Sequence, residues 1–591
     1  MHHHLEQIIL MRLRHSARKM LVTVLGEYLA CKFIDRFYHI REQVSAVVLK
    51  AAAPTMQSLK RLSYQPLFSI IIVYESSSPG FKLTVKSLIK QTYPLWEFIV
   101  VYAEEQYCEV EKKLPLSADK RIKLHRISET TLCTNTLEDI LKHVRGDYVL
   151  LLDGSERLNT TALFSVAEFL NQHPDADLIY SDEEEAAGPG TKSLNIRRKP
   201  HWSPDLLLSV NYIGSTFFCR TGVLAQVSIV NKSLSLKSLP YDLLLHITEQ
   251  TDRIYHFPLV TFYRYRPARA SEAKQVLEAA VDRRRIDAVV IPSIAPETFY
   301  VKRRFPGQPL VSVLIPFKDR PDLLKMCLNT ILSRSTYSNY EIIGISNNST
   351  DPDVYKAMCH FEQRDSRVRF IEYNIPFNYS KINNYAVSHA GGEHLVLLNN
   401  DIKIITPDWL QSLLEHSCRP EVGAVGAMLY YPNGTIQHAG TMLGLNGLAG
   451  HLYNGCPGDF AGKKGFPFLL QNISAVTGAC LMIKKNLYAQ LGGLDELHLP
   501  ISYNDVDLCL RLYESGFINV LTPYCEAYHY ESISRGCDSL QKHRARAESE
   551  AGYMMQRHAK LFAAGDPYYS KMFIEYVMNN ASRGDGFCVA Q

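Results

Sequence analysis

Three observations predict an α/β chain made of two tandem, Rossmann-like domains behind an N-terminal helical segment. Strand, amphipathic helix and strand recur in the same order, first from residue 66 and again from residue 306. The strands are almost continuously apolar, as in a sheet covered on both faces: SIIIVY (69–74) and WEFIVVY (96–102), then VSVLIPF (311–317) and YEIIGIS (340–346). In the second copy the strands run into polar clusters, Pro316-Phe317-Lys318-Asp319, Ser346-Asn347-Asn348 and Asn399-Asn400-Asp401. Right-handed crossovers between parallel strands bring such ends to one rim, where ligands of these sheets bind.

The composition sets limits. With 591 residues, 46% apolar and 21% charged, the chain has material for two or more soluble cores. Net charge is +4, but residues 1–65 alone carry ten Lys/Arg and four Asp/Glu, so the body is slightly acidic. That argues against a nucleic-acid partner. The thirteen cysteines are scattered without a C-x-x-C pair, which suits reduced thiols in the cytoplasm. No run of eighteen apolar residues predicts a membrane span.

Taken in order, residues 1–65 form a basic helical segment and linker. Val22, Leu25, Leu29, Phe33, Phe37, Ile40, Val44 and Val47 recur at helical spacing among Arg18, Lys19, Lys32, Arg36 and Arg41. Such a face can lie on an anionic membrane, dock on the body or dimerise; residues 1–50 are the expected point of peripheral contact. Pro54 ends the helix. The first copy follows over 66–270. Residues 271–305 bridge the copies, with helical EAKQVLEAAVDRRRIDA and the basic run Lys302-Arg303-Arg304. The second copy spans 306–535. Its first helix carries Leu323, Leu324, Cys327, Leu328, Ile331 and Leu332 on one face. A helical tail, 536–591, is expected to pack back beside the second copy's site.

Within the second copy, VSVLIPFKDRPDLL, ISNNSTD, FNYSKINNYAVSHAGGEHLVLLNND, QHAGTMLGLNGLAGH, ISAVTGACLMI, YNDVDLCLRLYESGFINVLTPYCEAYHYES and DPYYS follow one another between 311 and 570. In this order they resemble the GT-A, family 2 nucleotide-sugar glycosyltransferases, and more narrowly the bacterial enzymes of O-antigen and related surface-polysaccharide synthesis, rhamnosyltransferase-like members included. SDEEE and KPHWSPDLLLSVNYIG, within 181–214, resemble the tandem partner domain of some of these proteins.

The resemblance implies inverting transfer of a sugar from a UDP- or dTDP-linked donor to a growing cell-surface glycan or lipid-linked glycan. A Mn²⁺ or Mg²⁺ ion would hold the leaving diphosphate. Asn399-Asn400-Asp401 stands at the family's acidic triplet, with Asp401 and Asn399 as metal ligands and Asn400 by the nucleotide. His529, in EAYHYES, would complete the metal site. The family's base falls on Asp505 of Asn504-Asp505-Val506-Asp507, at a helix start that also favours acids by capping. Pro316, Phe317, Lys318, Asp319, Asn347 and Asp351 would lie by the nucleoside. Thr477, Gly478, Ala479, Asn504, Asp507, His438 and His451 would line the donor and acceptor pocket. Ser346 stands where most relatives have an acid, which leaves the base preference open. The implied location is cytoplasmic, peripheral to the inner face of the bacterial membrane.

The first copy departs from this pattern. Ser155 stands for Asp401, Pro240 for Asp505 and Arg264 for His529. Proline accepts no proton and arginine ligates no cation, though its charge can substitute for one. A degenerate, non-catalytic domain is expected. A metal site rebuilt from Asp153, Glu156 and Asp182 or Glu183 is the rival, and an inactive glycan- or nucleotide-binding scaffold is the alternative for the whole chain.

Overall fold

The computed structural model describes residues 56–573, apart from 76–79, 115–118, 128–133, 155, 187–192, 228–237, 265–271, 446, 460–464 and 531–540. The basic helix expected within residues 1–50, with its membrane contact, lies outside the described residues. Among the described residues no helix is long and apolar enough to cross a membrane.

Two mixed sheets repeat one topology. The first contains β1 (Phe68–Val73), β2 (Trp96–Ala103), β3 (Ile122–Ile127), β4 (Tyr148–Leu152), β5 (Glu156–Leu158), β6 (Leu178–Ala186), β7 (Ser193–Arg197), β8 (Phe217–Arg220) and β9 (Ile254–Arg264). Its order is β3-β2-β1-β4-β8-β6-β9-β5, with β7 beside β6. After a hairpin of β10 (Ala288–Pro292) and β11 (Phe299–Arg303), the second sheet contains β12 (Val311–Phe317), β13 (Tyr340–Ser346), β14 (Val368–Glu372), β15 (His394–Leu398), β16 (Ile402–Ile404), β17 (Val422–Tyr430), β18 (Ile436–His438), β21 (Gln471–Ile473), β22 (Cys480–Lys484) and β23 (Ile518–His529). Its order, β14-β13-β12-β15-β22-β17-β23-β16, is that of the first, strand for strand. The expectation of parallel strands holds for β1 to β4 and β12 to β15; β8 and β22 run antiparallel to their neighbours.

The alternation of side chains divides each sheet between two cores. Val311, Val313, Ile315 and Phe317 face Leu324, Cys327, Leu328 and Ile331 of the helix Pro321–Arg334, while Leu314 points into the opposite cluster. Each such fully buried aliphatic side chain contributes about 1.5–3 kcal/mol. That opposite cluster is continuous across both copies, joining Leu206, Leu207 and Tyr212 of the first to Leu469, Ile473 and Tyr569 of the second.

The KPHWSPDLLL segment makes this junction. Asn472 of β21, fully buried, accepts from Ser203 Oγ (3.0 Å) and Asp205 N (3.1 Å) and donates to Asp205 Oδ2 (2.7 Å). Arg419 reaches the other Asp205 oxygen at 2.8 Å. The bridge 271–305 contains the expected helix, Ala273–Arg283, and then the hairpin, which was not anticipated. Tyr300 of that hairpin stacks on Tyr524 (centroids 3.6 Å apart) and donates to the buried Glu415. The tail forms helices Gln541–Arg557 and Ala559–Ala564. It packs on the second copy, where Asp566 accepts from Leu443 N and Ser474 Oγ, and it meets the first through His201 N donating to Tyr568 O.

Candidate functional site

The rim of the second sheet gathers the Asn-Asn-Asp triplet, the β23 histidine and the Asn504 helix. β15 ends at Leu398, and the chain turns through Asn399–Asp401 into β16, which pairs with β23 so that Ile402 lies opposite His529. This register puts the Asp401 carboxylate against the imidazole, with Oδ1 3.2 Å from Nε2. Both side chains are buried. Gln437 Oε1 accepts from His529 Nδ1 at 2.7 Å, and Asn399 Nδ2 donates to Nε2 at 3.3 Å. An imidazole whose outer nitrogen is held as the donor turns an Nε2 lone pair towards the carboxylate. Two electron-rich atoms facing each other at that distance fit a bound cation. Cis ligands with metal–ligand distances of about 2.1 Å lie roughly 3 Å apart, and carboxylate suits Mn²⁺ or Mg²⁺; Asn399 would join through its amide oxygen only after its Nδ2 leaves His529.

The carboxylate of Asp505 lies at the other end of a short chain of bonds. Its Oδ2 accepts from Gly478 N (2.7 Å) and its Oδ1 from Val506 N (2.8 Å). The helix Asn504–Glu514 starts after Tyr503, whose φ of +61° is a conformation bulky residues rarely adopt. The turn at Gly478 is close-packed: a Cβ would stand 3.2 Å from Tyr379 Oη and 3.5 Å from Asp505 Cβ. Tyr379 Oη donates to Gly478 O at 2.9 Å. Ala479 O accepts from Asn399 N at 3.1 Å, and Thr477 N donates to His438 Nε2 at 3.4 Å. The 477–479 turn therefore ties Asp505 to both the triplet and the Gln437-His438 strand.

Several expected contact residues are bonded to neighbouring strand-end loops. Asp319 Oδ1 accepts from Thr350 N (2.7 Å) and Asp351 N (2.9 Å), and these bonds hold its pKa below the usual carboxylate range. Asp351 caps the helix Pro352–Arg364 through Asp353 N. The Asn347 amide is turned to the Tyr373 and Ile375 carbonyls, and Phe317 packs edge-on to Phe370. Pro316 is half-buried and Lys318 exposed on the same rim, while Asn400 is buried.

Asn504 donates to Ile501 O. Asp507, assigned to the pocket, is fully buried and bonded to Arg511 (2.8 Å), Arg557 (3.2 Å) and His558 (3.0 Å), so it anchors the tail. The glycine-rich stretch is a hairpin, β19 (Thr441–Leu443) with β20 (Ala449–His451), rather than a loop. His438 is fully buried against His451, their Nδ1 atoms 2.6 Å apart; burial, then the charges of His451 and His529, keeps its pKa well below 6.5. A sheltered histidine of that kind supports Thr477 rather than meeting a sugar.

Sequence reasoning missed Gln437, Tyr379 and Arg320. Gln437 was visible beside His438, and Tyr379 in FNYSKINNY, but nothing in the linear order showed their partners. Arg320, with φ of +54° directly after Asp319 at +48°, bonds Asp322 at 2.7 Å and lies within the electrostatic reach of Asp401. Consecutive left-handed non-glycine residues store strain at this rim.

In the first copy, β5 pairs with β9 so that Glu156 faces Arg264, the same register as Ile402 and His529. Arg264 therefore occupies the histidine's place by structure as well as by sequence. It contacts Glu156 (3.0 Å) and Glu183 (3.4 Å), and Glu183 also meets Arg197 (2.8 Å) and Lys199 (3.0 Å). Burial pushes the Glu183 carboxyl up, but these cations outweigh it and hold the pKa well below normal. Asp182 is taken by Arg198 and His256, both at 2.9 Å. The helix Leu239–Ile247 begins, like Asn504–Glu514, one residue before the base position, here Pro240. Of the acids named for a rebuilt metal site, Glu156, Asp182 and Glu183 thus face guanidinium, ammonium or imidazole groups.

A family model, Glycosyl transferase family 2, matches residues 69–233 and 312–492, more than half of the chain and once in each sheet. The chain is 34% identical over 531 residues to an uncharacterised protein, y4gI, of Sinorhizobium fredii, covering 87% of this chain and 58% of that one. It is 32% identical over 532 residues to the O-antigen biosynthesis protein RfbC of Myxococcus xanthus, covering 87% and 41%. It therefore spans roughly half the length of these relatives. Among solved structures, the mannosyltransferase PcManGT of Pyrobaculum calidifontis aligns at 15% identity and a TM-score of 0.32, over 47% of this chain and 70% of that one. With two copies of the fold, each matched separately, the chain belongs to glycosyl transferase family 2 as a tandem GT-A protein.

Proposed function

We propose that the second copy is a metal-dependent, inverting glycosyltransferase acting on a nucleotide-diphosphate sugar, and that the acceptor is a growing surface glycan, as the O-antigen relative suggests. The observation that carries this is the Asp401–His529 pair facing a shared point on the rim, linked through 477–479 to Asp505. Asp401, His529 and Asn399 would hold the ion. When bound, the ion neutralises charge on the leaving diphosphate.

The chain supplies the rest. Asp505, its carboxylate steered by Gly478 N and Val506 N, takes the proton of the acceptor hydroxyl as that oxygen attacks the anomeric carbon. One displacement inverts the centre, so no second nucleophile is required. Gly478 lets the sugar approach the turn closely. The Pro316–Asp319 rim, stiffened by the Asp319 bonds, receives the nucleotide.

The first copy, with Arg264 in the cation's place, serves as a non-catalytic partner that braces β21 and Asn472. Calorimetric titration of UDP, dTDP and GDP with Mn²⁺, with and without chelator, tests both parts. One chelator-sensitive site per chain is expected. Two such sites would restore the first copy to catalysis, and no nucleotide binding would leave only a scaffold.

A further inference from the structure

A second cluster of ligand-type side chains lies far along the first sheet, on its edge strand β3. His125 of β3, Asp139 of the helix Thr134–Leu141 and His143 just beyond that helix bring one imidazole nitrogen or carboxylate oxygen each to within 4.8 Å of one another. His125 Nε2 is 3.5 Å from Asp139 Oδ2, and the two imidazole centroids are 4.9 Å apart. His125 Nε2 is buried and has no hydrogen-bond partner among the described residues. Asp139 and His143 are exposed and free to change rotamer. Lys142 Nζ, at 3.3 Å from Asp139 Oδ1 and itself exposed, is the resident competing charge.

The second copy supplies an internal comparison. Gly146 and Gly392 donate to the equivalent hydroxyls of Ser69 and Ser312, at 2.9 and 2.8 Å, which aligns the two crossovers. Counting back from these glycines, Asp139 matches Tyr385 and His143 matches His389. The strand registers match His125 with Ile371. In the second copy Tyr385 stacks on Tyr373, with centroids 3.9 Å apart and planes at 8°, and leans on His389 at 4.5 Å. There, ring stacking pins the helix to the edge strand. In the first copy Asp139 and His143 take the places of Tyr385 and His389 beside His125, while Ile127, which the register matches with Tyr373, is buried in one apolar cluster with Ile140.

We propose that His125, Asp139 and His143 bind a borderline divalent transition ion of the Zn²⁺ type, which clamps the helix Thr134–Leu141 to edge strand β3. Two imidazoles and one carboxylate are ligands of the right softness, with water in the fourth position. Tetrahedral ligands about 2.1 Å from such an ion lie roughly 3.4 Å apart, so closure takes a shift of about an ångström by the two exposed side chains. The ion covers the polar edge of the sheet.

The test uses the full chain with Co²⁺ as a visible-band probe and Zn²⁺ in calorimetry and thermal melts. Wild type is compared with His125→Gln, His143→Ala and, as a control at the proposed active site, Asp401→Asn. Residues His2–His4 stay in every variant, so they contribute equally throughout. Both histidine variants are expected to lose one bound equivalent, the tetrahedral cobalt band and the zinc-dependent rise in Tm, while Asp401→Asn, which loses only the equivalent held at the second copy's rim, keeps the band and the Tm rise. His143 is exposed, so its loss leaves the fold intact, as circular dichroism would show. Equal metal uptake and an equal Tm rise in wild type and His143→Ala would overturn the proposal, as would a wild type without the cobalt band.

Discussion

Replacing Arg264 by Met is the sharpest probe of the first copy's centre. The substitution keeps side-chain length and removes the guanidinium from a site where Arg264 is 5% exposed and Glu156 1%. Glu183 would still face Arg197 and Lys199. Glu156 would lose the cation bonded to it through Nε (3.1 Å) and Nη2 (3.0 Å), keeping only the hydroxyls of Ser215 (2.8 Å) and Thr216 (2.7 Å) and the Asp153 N–H (3.2 Å). Breaking a buried pair from one side costs about 3–5 kcal/mol, because a charge is left without its partner. With a urea slope of about 2–3 kcal/mol/M for a domain of this size, the midpoint of its unfolding should fall by roughly 1–2 M. Adding Glu156→Gln should recover most of the loss, since hydroxyls and the N–H can serve a neutral amide. Urea titrations of the three proteins, followed by circular dichroism, measure this. A loss under about 1 kcal/mol in Arg264→Met, or no recovery in the double variant, would refute the idea that the guanidinium stands where a cation once did.

Other expectations concern the second copy and the junction. Asp505→Asn should lower sugar transfer by about 10²–10⁴-fold while calorimetry shows unchanged donor binding; equal loss of both would remove its role as base. His529→Ala should weaken Mn²⁺-dependent nucleotide binding and leave metal-free binding as it was, and a metal-insensitive loss would count against ligation. Asn472→Ala strips buried partners from Ser203 and Asp205, and should cost about 2–4 kcal/mol and expose the junction to limited proteolysis; a protease pattern identical to wild type would show that the copies are held otherwise. At the hairpin, burial pushes the Glu415 carboxyl up to about 7 against the hydrogen bond from Tyr300. Its unfolded value is about 4.3, so this stability is full below that pH and is lost as pH rises to about 7, by about 4 kcal/mol. Glu415→Gln should flatten this slope in urea midpoints taken from pH 4 to pH 8.

Much of this was legible without coordinates. The repeat of apolar strands and amphipathic helices specified two α/β units, because burial on both faces demands that pattern. Strand ends carrying Asn399–Asp401, and a helix opening on Asp505, marked the rim, because the carboxyl ends of parallel strands converge there. The replacement of His529 by Arg264 was readable from FYRYR, and the β5–β9 register agrees with it. Long-range pairing was not readable. Nothing linear showed that Gln437 orients His529, that Tyr379 supports Gly478, or that Asp319 Oδ1 and Asn347 Nδ2 are bonded to the loops after the neighbouring strands. Asp507 was readable as a capping or supporting acid beside Asp505; that the helix turns it to Arg511, Arg557 and His558 was not. The junction through Asn472 joins residues more than 260 positions apart, and the His125–Asp139–His143 cluster needs a crossover folded onto an edge strand. Local pattern determines which elements form and which ends are polar; only the packed sheet decides which polar atoms remain for a ligand, because each buried donor and acceptor must first find a partner.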